Sequence, residues 1–589
     1  MIPNSFSNNG NPSSYADRQA NRGHDDTRQA LALFEGSFND FATAVTQDLY
    51  AFWLGSAISR DRVPPLREVA IRVIAYLQSR ISAHDPNCRF RATLEEVLGL
   101  IGFSDEDRRR NDIRQSVASW PDRDNIADRL TLQYSRMLDV PVPGEGPDFL
   151  LWDAVDVVRT YADPTIEPDS EHLCIAGLIG EGVASTIVSA NWDGLIEKAV
   201  MRLMGTVASM NVCVRPEETR RPPSRSTLYK PHGCAVLAGQ DASLYRGMLV
   251  ARKSQIDRYT VDIANQQIVQ RLIDIATSKR SLIVGLSIQD ANIQGIFAAA
   301  QQRMQWPYPS QPPAIIIAGS RIGPDQEGLL QNVYLAQYSA ANRAAIQQSA
   351  LFAAYAKLFL LSLFVYVLAA KLSALMEIAI DRWPPASRNQ LQLGILTLRT
   401  KLAQSEASSD YRNLTDMVLR YCTRTLCLFR DGAEPKAASP LYRAITNTPA
   451  HQLVLDPMLP ATGLPGLGLA FALLGLGESL GIWTIQEPDM ADSRPGVLRM
   501  TANSSTTQVF LASDAEAVSN LIGEGLLDST DPAILIHSRE VGPRMARYPK
   551  GVYGRSGGPQ MREISLGAIL GASADVDELL VRFREEIAA

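Results

Sequence analysis

The sequence predicts an α/β fold, because three stretches share one pattern. In each stretch an apolar run ends at small or polar residues, and a helical pattern begins soon afterwards. Strands that alternate with helices and are apolar throughout are typical of parallel sheets, whose two faces are both covered. The chain is therefore expected to form a Rossmann-like, doubly wound parallel sheet. The three runs are 49–54, 187–190 and 281–287.

Length and composition limit the class of protein. A chain of 589 residues is long enough for two or three domains. Its hydrophobic fraction of 46% and charged fraction of 20% are typical of a soluble globular protein. The net charge of -6 gives no general electrostatic attraction to nucleic acid, so any such contact is expected to be indirect or local.

The cysteines indicate free thiols rather than a metal site. None of the six belongs to a C-x-x-C pair, which is the spacing expected of a structural zinc ribbon. We therefore predict no metal. The chain also lacks the pattern of a secretory signal, so a reducing, cytoplasmic location is expected. The six are Cys88, Cys174, Cys213, Cys234, Cys422 and Cys427.

Three regions are predicted along the chain. Residues 1–28 are polar and lack apolar periodicity, so they are interpreted as a mobile N-terminal tail. Residues 29–335 would form the first domain, with a helical insertion at about 85–170 and a last strand at 313–318. Residues 340–589 would form a C-terminal region of unrecognised type, either α+β or α/β.

Two segments of the C-terminal region carry a clearer pattern. A β-α-β unit is predicted from 508–511, 515–526 and 533–536. The uncharged stretch 358–370 is shorter than the ~20 residues that a membrane span needs. It is therefore predicted to be a buried core helix or a subunit contact, and no membrane association is expected.

Candidate site residues lie where the predicted strands end. Asn191 and Asp193 follow the second apolar run, at the edge where open α/β sheets bind ligands. The small residues after Leu54 could bring backbone N–H groups against a phosphate, although many tight turns look the same. His232 follows Lys230 in a Lys-x-His-Gly sequence, whereas His172 and the other histidines are interpreted as surface or core residues.

Four segments, in this order, resemble the sirtuin family. The match is to the Sir2-type NAD-hydrolysing domain of bacterial anti-phage defence proteins, and it covers roughly residues 30–330. Gly55 and Ser59 fit the family's Gly-Ala-Gly-x-Ser segment, while Ala57 stands where the second glycine belongs. The segments are Gly55-Ser56-Ala57-Ile58-Ser59, Asn191-Trp192-Asp193, Lys230-Pro231-His232-Gly233 and Gly285-Leu286-Ser287.

The resemblance implies NAD as substrate and assigns roles to these residues. Asn191 and His232 would be catalytic, and Asp193 would steady the same end of the pocket. The segment after the first strand would hold the phosphates, and the segment near residue 285 would hold the adenosine side. The implied NAD-binding residues are Gly55, Ser56, Ala57, Ser59, Gly285, Ser287 and Asp290.

The function implied is that of an NAD+ glycohydrolase, which depletes NAD in anti-phage defence by abortive infection. One alternative is an NAD-dependent protein deacylase, although the four-cysteine zinc module of classical deacylases is absent from the sequence. The other is a non-catalytic module that binds NAD or ADP-ribose and regulates a partner. A measurement of nicotinamide release would separate the three.

The resemblance also implies partners. Sir2-type defence proteins are typically switched by oligomerisation or by a companion, such as a HerA-type ATPase or a short Argonaute. A homo-oligomer is therefore expected, with residues 340–589 carrying the assembly or sensing surface. Two basic clusters, at 108–110 and 544–550, are interpreted as solvated loops rather than nucleic-acid contacts.

Overall fold

The computed structural model describes most of the chain. The described residues are 26–82, 84–85, 87–286, 288, 290–303, 308, 314–404, 410–436, 440–528, 530–538 and 561–588. Most of the predicted N-terminal tail, Ser287 and the basic cluster at 544–550 lie outside them. Two β-sheets are formed within these ranges, one of seven strands and one of five.

The seven-stranded sheet is parallel throughout. Its order is β3-β4-β2-β1-β5-β6-β7, so the chain starts at the centre, fills one side, and then crosses to the other. The predicted Rossmann-like sheet is confirmed, and its topological switch point lies between β1 and β5. The strands are β1 (Tyr50–Leu54), β2 (Thr186–Ser189), β3 (Met210–Cys213), β4 (Ser226–Tyr229), β5 (Arg280–Val284), β6 (Ala314–Ala318) and β7 (Leu351–Ala353).

Helices cover this sheet and fill the long connection from β1 to β2. The described part of that connection contains helices and turns, with one π-helical turn at Leu150–Ala154. The helices of this half are α1 (Thr27–Glu35), α2 (Asn39–Thr46), α3 (Leu66–Arg80), α4 (Arg89–Gly99), α5 (Asp105–Arg110), α6 (Arg123–Thr131), α7 (Tyr134–Met137), α8 (Val157–Tyr161), α9 (Ser170–Gly180), α10 (Leu195–Met204), α11 (Ala235–Gln240), α12 (Ala242–Tyr245), α13 (Lys253–Arg258), α14 (Gln266–Ser278), α15 (Ala291–Arg303), α16 (Pro324–Tyr334) and α17 (Arg343–Ala350).

The parallel sheet extends further along the chain than the sequence predicted. The strand expected at 313–318 is present as β6, but it is not the last one, because β7 pairs with it through Ile316 and Leu351. The prediction of a last strand there was wrong. A three-residue strand is too short to produce a readable period, and β7 is held in place by its neighbours rather than by its own pattern.

The C-terminal half contains the second sheet, in the order β12-β11-β10-β9-β8. The predicted β-α-β unit is confirmed, since β10 and β11 are parallel and a helix connects them. The strands are β8 (Thr484–Gln486), β9 (Leu498–Ala502), β10 (Ser505–Ala512), β11 (Ala533–His537) and β12 (Arg562–Ser565). The helices are α18 (Ala356–Ala379), α19 (Pro385–Ala403), α20 (Tyr411–Asp431), α21 (Leu464–Ser479), α22 (Ala515–Gly523), α23 (Leu566–Gly571) and α24 (Val576–Ala588).

The apolar helix α18 joins the two halves. It is the one helix among the described residues that is long and apolar enough to cross a membrane, but 78% of its most apolar window is buried within the chain. It packs against α9 and α1 of the first half and against α21 of the second. Phe359 of α18 contacts the rings of Phe34 and Phe352. Of the two predictions for this stretch, core helix or subunit contact, the structure supports the core helix.

Candidate active site at the carboxyl edge of the parallel sheet

The four segments that resemble sirtuins meet at one edge of the sheet. They follow β1, β2, β4 and β5, which are neighbours in the order β4-β2-β1-β5. Since all four strands are parallel, their carboxyl ends lie at the same edge, where doubly wound sheets bind ligands. Asn191, His232, Gly55 and Gly285 are therefore brought together although they are distant in sequence.

Asn191 lies at the centre of this edge, immediately after β2, and is only 7% exposed. Its amide nitrogen Nδ2 donates to the backbone oxygen of Gly55 and to Oγ of Ser59, each at 3.2 Å. Its oxygen Oδ1 is buried and accepts no hydrogen bond from the residues that the structure describes. A buried amide oxygen without a donor costs about 1–3 kcal/mol, so Oδ1 is suited to accept a hydrogen bond from a ligand or a water.

A buried histidine holds Ser59, the second hydrogen-bond partner of Asn191. His172, at the start of α9, is 0% exposed, and its Nδ1 accepts from the N–H of Asp169 at 3.2 Å. The proton therefore lies on Nε2, which donates to Ser59 Oγ at 3.1 Å. Burial lowers the pKa of His172 to about 4, so the ring is neutral at physiological pH. Ser59 Oγ thus accepts from both His172 and Asn191, and its own hydroxyl proton can be donated to a third group.

Asp193 begins the helix that follows Asn191. Its Oδ1 accepts from the N–H of Leu195 at 3.1 Å, which is the geometry of a side chain that supports a helix start. Its backbone oxygen accepts from the buried ammonium group of Lys230, which also donates to Glu197 at 2.9 Å. Asp193 therefore ties the turn after β2 to the turn after β4, which carries His232.

His232 is 4% exposed and faces the start of α15. Its Nε2 accepts from Nδ2 of Asn292 at 3.0 Å, so the neutral ring carries its proton on Nδ1. That Nδ1 lies 3.9 Å from Oδ2 of Asp290. The other oxygen of Asp290 accepts from the hydroxyl of Tyr134 at 2.5 Å, and burial together with this carboxylate raises the pKa of Tyr134. Asp290, which the resemblance assigned to NAD binding, lies beside the predicted catalytic histidine.

The turns after β1 and β5 are in direct contact. The N–H of Gly55 donates to Val284 and that of Ala57 donates to Gly285, at 3.0 and 3.1 Å. A Cβ atom on Gly55 would lie 2.4 Å from the Cα of Leu286, so only glycine fits there. Both N–H groups are engaged within the protein in this conformation, and the phosphate-binding role of this turn stays a prediction.

The alanine that replaces the family's second glycine is accommodated by the neighbouring turn. Gly285 has a φ of +68°, and a Cβ atom placed on it would lie 3.1 Å from the methyl group of Ala57. The methyl group therefore points towards a residue without a side chain. Ser56 is exposed next to it, whereas Ser59 is fully buried.

Sequence reasoning missed three residues of this site. His172 was interpreted only as a surface or core residue; it lies in the core and also forms a hydrogen bond with Ser59. Asn292 and Tyr134 were not identified as site residues from the sequence. His172 and Ser59 are 113 positions apart, and Asn292 and His232 are 60 apart. The spacing of residues in a single sequence does not indicate contacts over such distances along the chain.

The structure gives no metal centre in the ranges it describes. Within them, no group of three or more histidine, cysteine, aspartate or glutamate side chains could hold a metal ion. All six cysteines are free thiols, and Cys234 of the His232 turn lies 3.4 Å from the Lys230 ammonium.

A comparison with known families agrees with this architecture. Residues 185–339 match the family model of the SIR2-like domain, a range that includes the segments after β2, β4 and β5. No curated protein matches the sequence. The matched range includes the turns that carry Asn191, His232 and Gly285, so these three turns belong to one domain built on the Rossmann-like sheet. The chain therefore contains a Sir2-type domain, a kind of domain that generally acts with NAD.

Proposed function

We propose that the protein is an NAD+ glycohydrolase, which cleaves NAD+ to nicotinamide and ADP-ribose. The observation that carries this proposal is the unsatisfied Oδ1 of Asn191, buried at the carboxyl edge next to the hydroxyl of Ser59. These two groups offer one acceptor and one donor at the position where a doubly wound sheet binds a dinucleotide.

The chemistry needs orientation more than it needs acid catalysis. Cleavage of the nicotinamide–ribose bond passes through an oxocarbenium-like ribosyl cation, as in glycoside hydrolysis. Nicotinamide leaves as a neutral molecule, so its departure requires no proton. Asn191 can orient the ribose or the attacking water through Oδ1, while Ser59 donates to an oxygen of the same group. Holding reactants in this way can supply a large part of the barrier reduction.

His232 is suited to accept a proton from the water or from a ribose hydroxyl. In the neutral ring the lone pair that can accept a proton is on Nε2. In this structure Nε2 accepts a hydrogen bond from Asn292. A substrate hydroxyl could displace this amide and donate to Nε2, while Nδ1 on the other side of the ring lies 3.9 Å from the Asp290 carboxylate. This geometry supports the role of general base.

A second candidate is a non-catalytic module that binds NAD or ADP-ribose. The glycine segment favours it, because Ala57 stands where the family's second glycine belongs. This module would bind the dinucleotide without releasing nicotinamide.

Nicotinamide release tests these alternatives. The purified protein is incubated with NAD+, with and without an acetylated peptide, and free nicotinamide is measured by chromatography. We expect release that does not depend on the peptide. Release only with the peptide would identify a deacylase, and binding of NAD without release would identify the non-catalytic module.

We further propose that the activity depletes NAD in the cytoplasm during phage infection. The support is the resemblance of the four segments to Sir2-type defence proteins, which also motivates a homo-oligomer and a companion such as a HerA-type ATPase or a short Argonaute. The helix α18 does not support the oligomer, since 78% of its most apolar window is buried within the chain. Cellular NAD measured during infection, with and without the intact gene, tests the proposal. Unchanged NAD would contradict it.

A further inference from the structure

A large cavity lies in the C-terminal half, away from the carboxyl edge of the parallel sheet. It is lined by α18, α19, α20 and α21 and by the strands β8 and β9, it is partly open to solvent, and its volume is about 860 Å³. Small-molecule sites measure ~300–1,000 Å³, so the volume of this cavity is that of a ligand site rather than a packing defect.

Most of the cavity wall is apolar. Each of the four helices contributes large aliphatic, thioether or aromatic side chains, among them Leu368, Leu398, Met417 and Phe471. The strands add further aliphatic residues from β8 and β9. Water in contact with such walls is unfavourable, so the cavity is suited to an apolar occupant.

The lining of the cavity also includes three cations. Arg399, Lys401 and Arg499 line the cavity together with a single carboxylate, that of Glu487. Glu487 already accepts a hydrogen bond from the hydroxyl of Tyr421 at 3.1 Å. The carboxylates that pair with Lys401 and Arg499 do not themselves line the cavity. An anion inside the cavity would therefore meet three cations whose own carboxylate partners, Glu35, Glu478 and Asp489, lie outside the lining.

Arg399 gives the strongest indication of where that charge would lie. Its side chain is 4% exposed, and one terminal nitrogen is paired with Glu35. Its Nε is buried and donates no hydrogen bond to any residue in the described ranges. A buried N–H without an acceptor is costly, and a guanidinium group presents its donors in a geometry that matches a carboxylate.

We propose that this cavity binds an amphipathic organic anion, specifically a long-chain aliphatic carboxylate. The aliphatic chain lies between the helices, and the carboxylate lies beside Arg399. This site does not depend on the proposed cleavage of NAD, because no residue of the active site lines the cavity.

A chain-length series measures the contribution of the apolar walls. Octanoate, decanoate and dodecanoate are titrated into the full-length protein by calorimetry, each below the concentration at which it forms micelles. Each added methylene should raise the affinity about fourfold. Dodecan-1-ol, which lacks the charge, should bind more weakly than dodecanoate. Equal affinities for the alcohol and the carboxylate would refute the anion, and no binding of dodecanoate would refute the site.

Two variants locate the ligand. Met417→Trp places an indole ring in the cavity and should weaken binding, whereas Leu393→Trp on the exposed face of α19, where Leu393 is 51% exposed, should not. Glu35→Gln removes only the partner of Arg399 and should leave binding intact. Unaltered binding by Met417→Trp would place the ligand elsewhere and overturn the proposal.

A labelling experiment on the unmodified protein is independent of how the variants fold. A diazirine-bearing dodecanoate is photo-crosslinked to the full chain, and the labelled peptides are identified by mass spectrometry. Labels should fall on the segments of α18–α21 that line the cavity, and excess dodecanoate should suppress them. Labels confined to other segments would contradict the proposal.

Discussion

The neutral state of His172 leads to a specific prediction about stability and pH. The ring accepts from the N–H of Asp169 and donates to Ser59, an arrangement that only the neutral form can make. Burial lowers its pKa from 6.5 to about 4 in the folded protein. The unfolded chain therefore binds a proton at a higher pH than the folded protein, and the contribution of this residue to stability is lost as the pH falls from 6.5 towards 4.

The size of this effect follows from the two pKa values. Between pH 7.5 and 4.5, the difference between a pKa of 6.5 and one of about 4 lowers the free energy of unfolding by about 2.5 kcal/mol. The His172→Gln variant cannot titrate at this position and should lack that term. Burial raises the pKa of Glu171 to about 8, so this residue changes the stability with pH in the opposite direction. It does so in wild type and in the variant alike, and its effect cancels when their free energies of unfolding are subtracted.

Urea unfolding measures the difference directly. Wild type, His172→Gln and the control His451→Gln, which replaces an exposed histidine, are unfolded at pH 7.5, 6.5, 5.5 and 4.5. Tryptophan fluorescence and circular dichroism should report the same transition. The gap between wild type and His172→Gln should narrow by about 2.5 kcal/mol towards low pH, while the control follows wild type. A gap that is constant with pH would refute the assignment of a neutral, buried ring.

Three further changes have defined outcomes. His232→Ala should lower the rate of NAD cleavage by about 10²–10⁴-fold, as expected for a general base, when nicotinamide release is followed at saturating NAD. Lys371→Met should destabilise the protein by about 3–5 kcal/mol in urea unfolding, because it leaves the carboxylate of Glu181 buried and unpaired. Deletion of residues 340–589 should give insoluble protein, since the two halves share one apolar core; expression and solubility measure this.

Each outcome has a control or a contradiction. A soluble His232→Ala variant with wild-type turnover would remove this residue from the mechanism. Lys253→Met breaks an exposed ion pair and should lower the free energy of unfolding by less than about 1 kcal/mol. If Lys371→Met lowered it by no more than this control, the result would contradict the burial of the Lys371–Glu181 pair. A soluble, folded fragment that ends at residue 339 would contradict the shared core.

The parallel sheet, and the edge of it at which Asn191 and His232 lie, could be predicted from the sequence. The apolar runs that became β1, β2 and β5 are buried on both faces, so their pattern is strong. The positions of Asn191 and His232 follow from the strands that precede them. The hydrogen bonds of these residues do not, because their partners come from helices in other parts of the chain.

The helix α18 and the strand β7 show a different limit. The composition of α18 predicts burial, but the surface that buries it is formed by helices on both sides of the predicted domain boundary. Its buried Lys371 is compatible with the core only because Glu181 and Thr446 supply oxygen atoms at 2.6–2.9 Å. β7 has only three residues, so its pairing with β6 depends on tertiary contacts and carries no local signal.

The most direct test of the central claim is a time course of NAD+ with the purified full-length chain, followed by proton NMR. Wild type should release nicotinamide and ADP-ribose in equal amounts without any acyl peptide. Asn191→Ala should remain folded and release neither, because it lacks the amide that is proposed to orient the ribose or the water. Nicotinamide release by Asn191→Ala at the wild-type rate would contradict the assignment of this residue. Intact NAD in the presence of wild type, under conditions in which NAD binds, would contradict the proposed activity itself.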